Sequence, residues 1–145
     1  MVEETVTIRN DHTALAGFLE IPSKPAGIVL FAHGSGSGRF SPRAAAALQA
    51  AAQASFEVGA IVSRGGRPDL AERFLPQVIA PTLLLVGSED HPVIEMNQHA
   101  FHLLGGPKQL MVIPGATHLF EEPGALEQVA EYALQWFRLY FAHLA

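Results

Sequence analysis

The chain contains no cysteine in its 145 residues, which excludes disulfides, thiolate nucleophiles and thiolate metal sites. That absence fits a reducing compartment, with the cytoplasm as the default. Positive charge is scarce as well: nine Lys and Arg against fourteen Asp and Glu leave a formal charge of −5, and the basic residues form no long run. A chain of this balance has no basic field to attract a nucleic-acid backbone. No apolar stretch reaches the roughly 20 residues that a membrane-spanning helix needs. The start, Met1-Val2-Glu3-Glu4-Thr5, is acidic where a signal peptide would be basic. The expectation is a chain that begins at Met1, stays out of the membrane and needs no nucleic-acid partner.

What is present is a hydrophobic fraction of 49% with 16% charged residues, enough for one core and too little chain for two ordinary domains. A single domain over 1–145 is expected, without repeats or linkers. Val2 to Ile8 alternates, with Val2, Val6 and Ile8 on one face, and Asn10-Asp11 supplies turn chemistry before Thr13 to Ile21, which reads as an antiparallel hairpin. Gly27 to Ala32 is apolar without alternation, as in a strand covered on both faces. The Ala-rich tract Ala44 to Ala54 reads as a helix starting near Pro42, with Ser41 as N-cap. Further strands are expected at Gly59–Ser63, Thr82–Val86 and Gln109–Ile113, with a short helix near Leu70–Leu75 and longer helices over Pro92–Leu104 and Gly124–Leu144. In the last helix Leu126, Val129, Ala130, Ala133, Phe137, Tyr140 and Phe141 recur at helical spacing and define the expected buried face. The alternation of strand and helix predicts an α/β fold, a three-layer sandwich on a mostly parallel sheet of about six strands, with the N-terminal antiparallel hairpin at one edge.

In such sheets, sites gather beyond the carboxyl ends of the strands. Three loops lie there: His33 to Gly38, Gly87-Ser88-Glu89-Asp90, and Pro114-Gly115-Ala116-Thr117-His118. An acid after one strand and a histidine after the next, in that order, is the order that hydrolases of this architecture use for base orientation. His118 would take a proton from a nucleophile, Asp90 would fix its tautomer, and backbone N–H groups near Gly34 and Ser35 would face a developing oxyanion. Together these parts suit acyl transfer to water.

The segments FAHGSGSGRFSPR, IVSRGGRPDL, APTLLLVGSEDHPV and VIPGATHLFEEPG, which together span nearly the whole chain, resemble successive signature segments of the dienelactone-hydrolase-like branch of the α/β-hydrolases, a branch sometimes fused to phosphoribosyltransferases. The resemblance implies Asp90 as the triad acid, His118 as the base, and His33, Gly34 and Ser35 as the oxyanion loop. It implies an ester or lactone of a small molecule as substrate and no cofactor. The family's G-x-S-x-G nucleophile elbow is missing: none of Ser23, Ser35, Ser37, Ser41, Ser55, Ser63 and Ser88 has glycine at both second-neighbour positions. The passage from Ser41-Pro42-Arg43 straight into Ala44 reads as an internal deletion near 41–44. Ser35 and Ser37 are candidate replacement nucleophiles on the rim that carries His118, and a water activated by His118 is another.

Plainer readings stand beside these. Gly34 to Gly38 resembles a phosphate-binding turn, but the third glycine of G-x-G-x-x-G falls on Arg39 or Ser41 and no G-x-x-x-x-G-K-[ST] occurs, which favours an ordinary Gly-rich turn. Asp90 would also serve as a helix cap before Pro92. His99 and His102 lie three apart on a helix without a third ligand, so no metal is expected. Arg64 and Arg67, with Arg39 and Arg43, border the carboxyl-end loops; they are read either as solvated or as a mouth for a carboxylate-bearing substrate. Glu121-Glu122 reads as the acidic start of the last helix. Two functions follow: a serine-hydrolase-type esterase or lactonase, or a non-catalytic, degenerate hydrolase domain that binds a ligand or a protein. A nucleotide-binding domain ranks third. Lost central strands would leave apolar edges that favour a homo-oligomer or a covering partner.

Overall fold

The structure, a computed structural model, describes residues 2–10, 13–21, 23, 43–55 and 57–141. Strands β1 (Val2–Asn10) and β2 (Thr13–Ile21) pair antiparallel in unbroken register from Val2 opposite Ile21 to Asn10 opposite Thr13. This is the expected hairpin. A second sheet is wholly parallel, in the order β3 (Ile61–Arg64), β4 (Thr82–Gly87), β5 (Lys108–Ile113).

Every residue of β4 is buried, which is why its sequence Thr-Leu-Leu-Leu-Val-Gly shows no alternation. Leu84 faces one core with Ala45, Leu48, Leu75, Val78, Ala100 and Leu104, contributed by α1 (Arg43–Gln53), the following segments and α2 (His91–Leu103). Leu83 and Leu85 face the other core, with Ile113, Phe120 and the helix α3 (Ala125–Phe141). Helices thus cover both faces of the central strand. Lys108, the first residue of β5, closes the far end of α2: its ammonium donates to the carbonyls of Leu104 at 3.1 Å and His102 at 3.4 Å, satisfying acceptors that the helix end leaves open.

Several expectations are corrected. Among the described residues there are five strands in two separate sheets, not one sheet of about six. Among the described residues the hairpin's ladder runs between its own two strands, and the Gly27–Ala32 segment lies outside the described residues. The strand expected at Gly59–Ser63 begins two residues later, because its ladder starts where Ile61 meets Thr82. The short helix expected near Leu70–Leu75 is present as 3₁₀ turns over Pro68–Gln77, broken at Ala71. In α3 the buried stripe is Ala125, Val129 and Trp136, with Tyr132 and Tyr140 packed beside them; Leu126 and Ala130 are exposed. The helix carries two apolar stripes, and the aromatic one wins because Trp136 both packs on the sheet and donates its indole N–H to the Pro81 carbonyl at 3.3 Å. No described helix is long and apolar enough to cross a membrane.

Leu84, fully buried on the central strand, tests this architecture. Leu84→Ala is expected to lower unfolding stability by about 2–5 kcal/mol. Urea titration followed by circular dichroism would show the midpoint falling with the slope unchanged.

Candidate active site

The loops after β4 and β5 leave the sheet side by side, because Gly87 stands opposite Ile113 in the parallel register. Backbone hydrogen bonds then stitch them together: Ser88 N–H donates to the Ile113 carbonyl at 2.9 Å, and Glu89 N–H to the Ala116 carbonyl at 3.0 Å. The Ser88 hydroxyl accepts from Gly115 N–H at 2.7 Å. The approach is close enough that a Cβ at Gly87 would lie 2.2 Å from the Ala116 carbonyl oxygen, so only glycine fits there.

The stitching brings Asp90 to His118. The Asp90 carboxylate accepts from His118 Nδ1 at 2.7 Å, with the Asp90 side chain 1% exposed and that of His118 17% exposed. An ionised carboxylate only accepts, so Nδ1 is the donor in this contact and Nε2 is the nitrogen turned away from Asp90. Asp90 occupies the N-cap position of α2, yet its side chain makes no capping hydrogen bond. The first-turn amides of Val93 and Ile94 use the Asp90 main-chain carbonyl instead, at 3.0 and 3.1 Å. The side chain is spent on the histidine.

The histidine's own loop is held in three ways. Phe120 has a backbone φ of +56°, a left-handed conformation that a bulky residue rarely adopts, and its ring is 1% exposed in the core under the loop. The Thr117 hydroxyl donates to Glu122, whose carboxyl is held below its usual range chiefly by this bond and further by the backbone N–H groups of Glu122 and Thr117. The turn after β3 closes the third side, since a Cβ at Gly65 would lie 3.3 Å from the His118 carbonyl oxygen and 3.7 Å from His118 Cε1.

The other sequence candidates fall as follows. His33, Gly34, Ser35 and Ser37, with Arg39 and Ser41, lie outside the described residues. Ser63 is buried in β3, and its hydroxyl makes no hydrogen bond within the described residues. Arg64 is exposed, its guanidinium 5.6 Å from the centre of the Phe120 ring. Arg67 is engaged by Asp69 through two bonds of 2.8 and 2.7 Å, and that carboxylate raises its pKa further. His99 pairs with Glu72 at 3.2 Å on the surface, and no group of three or more potential metal ligands occurs among the described residues. Glu122, read from the sequence as a helix-start acid, instead braces Thr117. Sequence reading missed Ser88, Gly65, Phe120 and Asn97. Asn97, a polar residue on the buried stripe of α2, is the one whose pattern was visible.

A parallel sheet with an Asp–His pair at the carboxyl ends of adjacent strands defines the α/β-hydrolase class of site. Comparison with known proteins makes the assignment particular. Dienelactone hydrolase from Anabaena variabilis ATCC 29413 superposes with a TM-score of 0.84 and 37% sequence identity, covering 96% of this chain and 98% of that one. The chain belongs to the dienelactone-hydrolase-like branch of the α/β-hydrolases. Two curated relatives from Mycobacterium tuberculosis, of strains CDC 1551 and H37Rv, each named as a candidate phosphoribosyl transferase, are 38% identical over 203 residues. That alignment uses 93% of this chain and 46% of each relative, so the chain spans under half their length. No family model matches the chain.

Two outcomes test the loop geometry. Gly87→Ala is expected to force the Asp90 and His118 loops apart and to remove the protected Nδ1 proton of His118 from the NMR spectrum, with a stability loss of about 1–3 kcal/mol. For Glu122, whose pKa is lowered on folding, the stabilisation is fully present above the ordinary carboxylate range and is lost as pH falls through and below it. Thermal melts across the acidic range should therefore show a steeper fall for the parent than for Glu122→Gln.

Proposed function

We propose that this chain is a hydrolase for an ester or lactone of a small molecule, with His118 as general base and Asp90 as its orienting acid. The observation that carries this reading is the 2.7 Å contact between His118 Nδ1 and the buried Asp90 carboxylate, made at the expense of the helix cap that Asp90 would otherwise form. In the reaction, His118 Nε2 takes a proton from the attacking hydroxyl, either water or the Ser35 side chain. The new C–O bond forms at the ester carbonyl, and the tetrahedral intermediate collapses as His118 returns the proton to the leaving alkoxide. Asp90 stabilises the imidazolium between these steps. If Ser35 attacks, a second round with water releases the acid. Backbone N–H groups of the His33-Gly34-Ser35 loop are assigned the oxyanion.

Arg64 is the residue proposed to meet a carboxylate on the substrate, because Arg67 is already neutralised by Asp69 while Arg64 lies open beside Phe120. Phosphoribosyl transfer is the name carried by proteins of more than twice the matched span. The same stretch matches a hydrolase over 98% of its length, which supports reading the shared part as the hydrolase and the name as a property of the remainder.

A second reading has its own observation. The 203-residue alignment is longer than the 145-residue chain, so it contains positions with no counterpart here. This supports an internal deletion, near 41–44, that took the nucleophile elbow and left a non-catalytic domain. Intact-mass spectrometry with a fluorophosphonate probe, together with hydrolysis of p-nitrophenyl acetate, separates the readings. The hydrolase reading expects ester turnover that falls by about 10²–10⁴-fold in His118→Ala. A His118-dependent adduct would make the nucleophile a serine and peptide mapping would locate it; turnover without an adduct would make it water. Absence of both sinks catalysis and leaves the degenerate domain.

A further inference from the structure

Asn97 is fully buried in the middle of α2, and the dyad chemistry does not call for it. Its side-chain amide donates to the Val93 carbonyl of its own helix at 2.8 Å and to the Gly66 carbonyl, 31 residues earlier in the chain, at 3.1 Å. Carbonyls only accept, so both contacts require the NH₂ end and fix the orientation of the amide. The Gly66 bond is the one that leaves the helix. It adds a hold from α2 to a turn whose Gly65-Gly66 dipeptide is intrinsically flexible.

That turn lies beside His118. Gly65 adopts φ +56°, and a Cβ there would lie 3.7 Å from His118 Cε1, the ring carbon between the two nitrogens. On its other side the turn has no slack, since a Cβ at Gly66 would lie 2.5 Å from both Ala44 Cβ and Ser63 Oγ. Gly65 N–H also donates to the Leu85 carbonyl at 2.8 Å, and Asn97 supplies the hold on the turn from α2. Asn97 follows Asp90 by seven residues, two helical turns, so both project from one face of the helix start.

We infer that Asn97 is a positioning residue for His118, acting through the Gly65-Gly66 turn: the helix that begins at Asp90 also ties down the turn that lies beside the His118 ring. The inference rests on the hydrolase reading for its purpose, but its readout needs no turnover. Without Asn97 the Nδ1 contact with Asp90 would still form, while the ring would no longer be confined on its Cε1 side.

The test is NMR of the full chain with ¹⁵N-labelled histidine, measuring solvent exchange of the His118 Nδ1 proton. In Asn97→Ala and Asn97→Leu, the latter keeping the volume filled, exchange is expected to be about tenfold faster than in the parent. Leu104→Ala, which opens a cavity at the far end of α2, is expected to lower stability at least as much and leave that exchange within about twofold. Unchanged exchange in both Asn97 variants, or equal acceleration in Leu104→Ala, would overturn the inference. Should the Asn97 variants not fold, the parent decides: the Nδ1 proton must exchange in step with the Gly65 amide, and independent exchange of the two counts against the role. Absence of esterase activity would end the hydrolase reading and leave this measurement standing.

Discussion

The register of β4 against β5 is the constraint from which the site follows. Parallel strands send both following loops off the same end of the sheet, and the pairing of Gly87 with Ile113 makes those loops start level. Asp90 lies three residues beyond one strand and His118 five beyond the other, so neither side chain has far to reach. A slip of one residue would turn every β4 side chain to the opposite face and break the packing of Leu84 in one core and of Leu83 and Leu85 in the other. The hydrophobic core thereby sets the distance between two polar groups that are not part of it.

Asp90 shows how one carboxylate is divided between competing uses. A helix start favours negative charge and an acceptor for its open amides, and an aspartate before a proline ordinarily fills both needs. Here the backbone carbonyl of the same residue takes the amides of Val93 and Ile94, and the carboxylate turns to the imidazole. The charge stays near the positive end of α2 in either case. With the Val93 amide already served by the main chain, the carboxylate is left to make its charge-assisted bond with the imidazole N–H.

The parts of this structure that were legible in the sequence are those carried by period and by short-range chemistry. The hairpin, the unalternating β4 and the helices after Asp90 and Gly124 follow from patterning, and the Asp-then-His order pointed to two residues that lie 2.7 Å apart. The Gly65 turn, the Phe120 backbone and the Asn97 bond were not legible. Each depends on contacts between residues far apart in the chain, and none has a local signature beyond a glycine pair or one polar residue on an apolar stripe. The buried face of α3 was legible only in part for a related reason: Val129 and Tyr140 of the expected face pack on the core, while Ala125, Tyr132 and Trp136 belong to a neighbouring apolar stripe that looks alike until a sheet chooses. The expected six-stranded sheet assumed that successive strands join one ladder, whereas the hairpin pairs only with itself among the described residues.

Phe120 carries a consequence for how this loop can change over generations. Its left-handed backbone costs on the order of 1–3 kcal/mol, which glycine would relieve. Its buried ring is worth about 3–5 kcal/mol, which glycine would forfeit. Other side chains keep the backbone penalty and fill the space less well. Every single-step route away from phenylalanine is therefore uphill, and the residue two positions after His118 is held as a local optimum by two opposed costs that no one substitution can lower together.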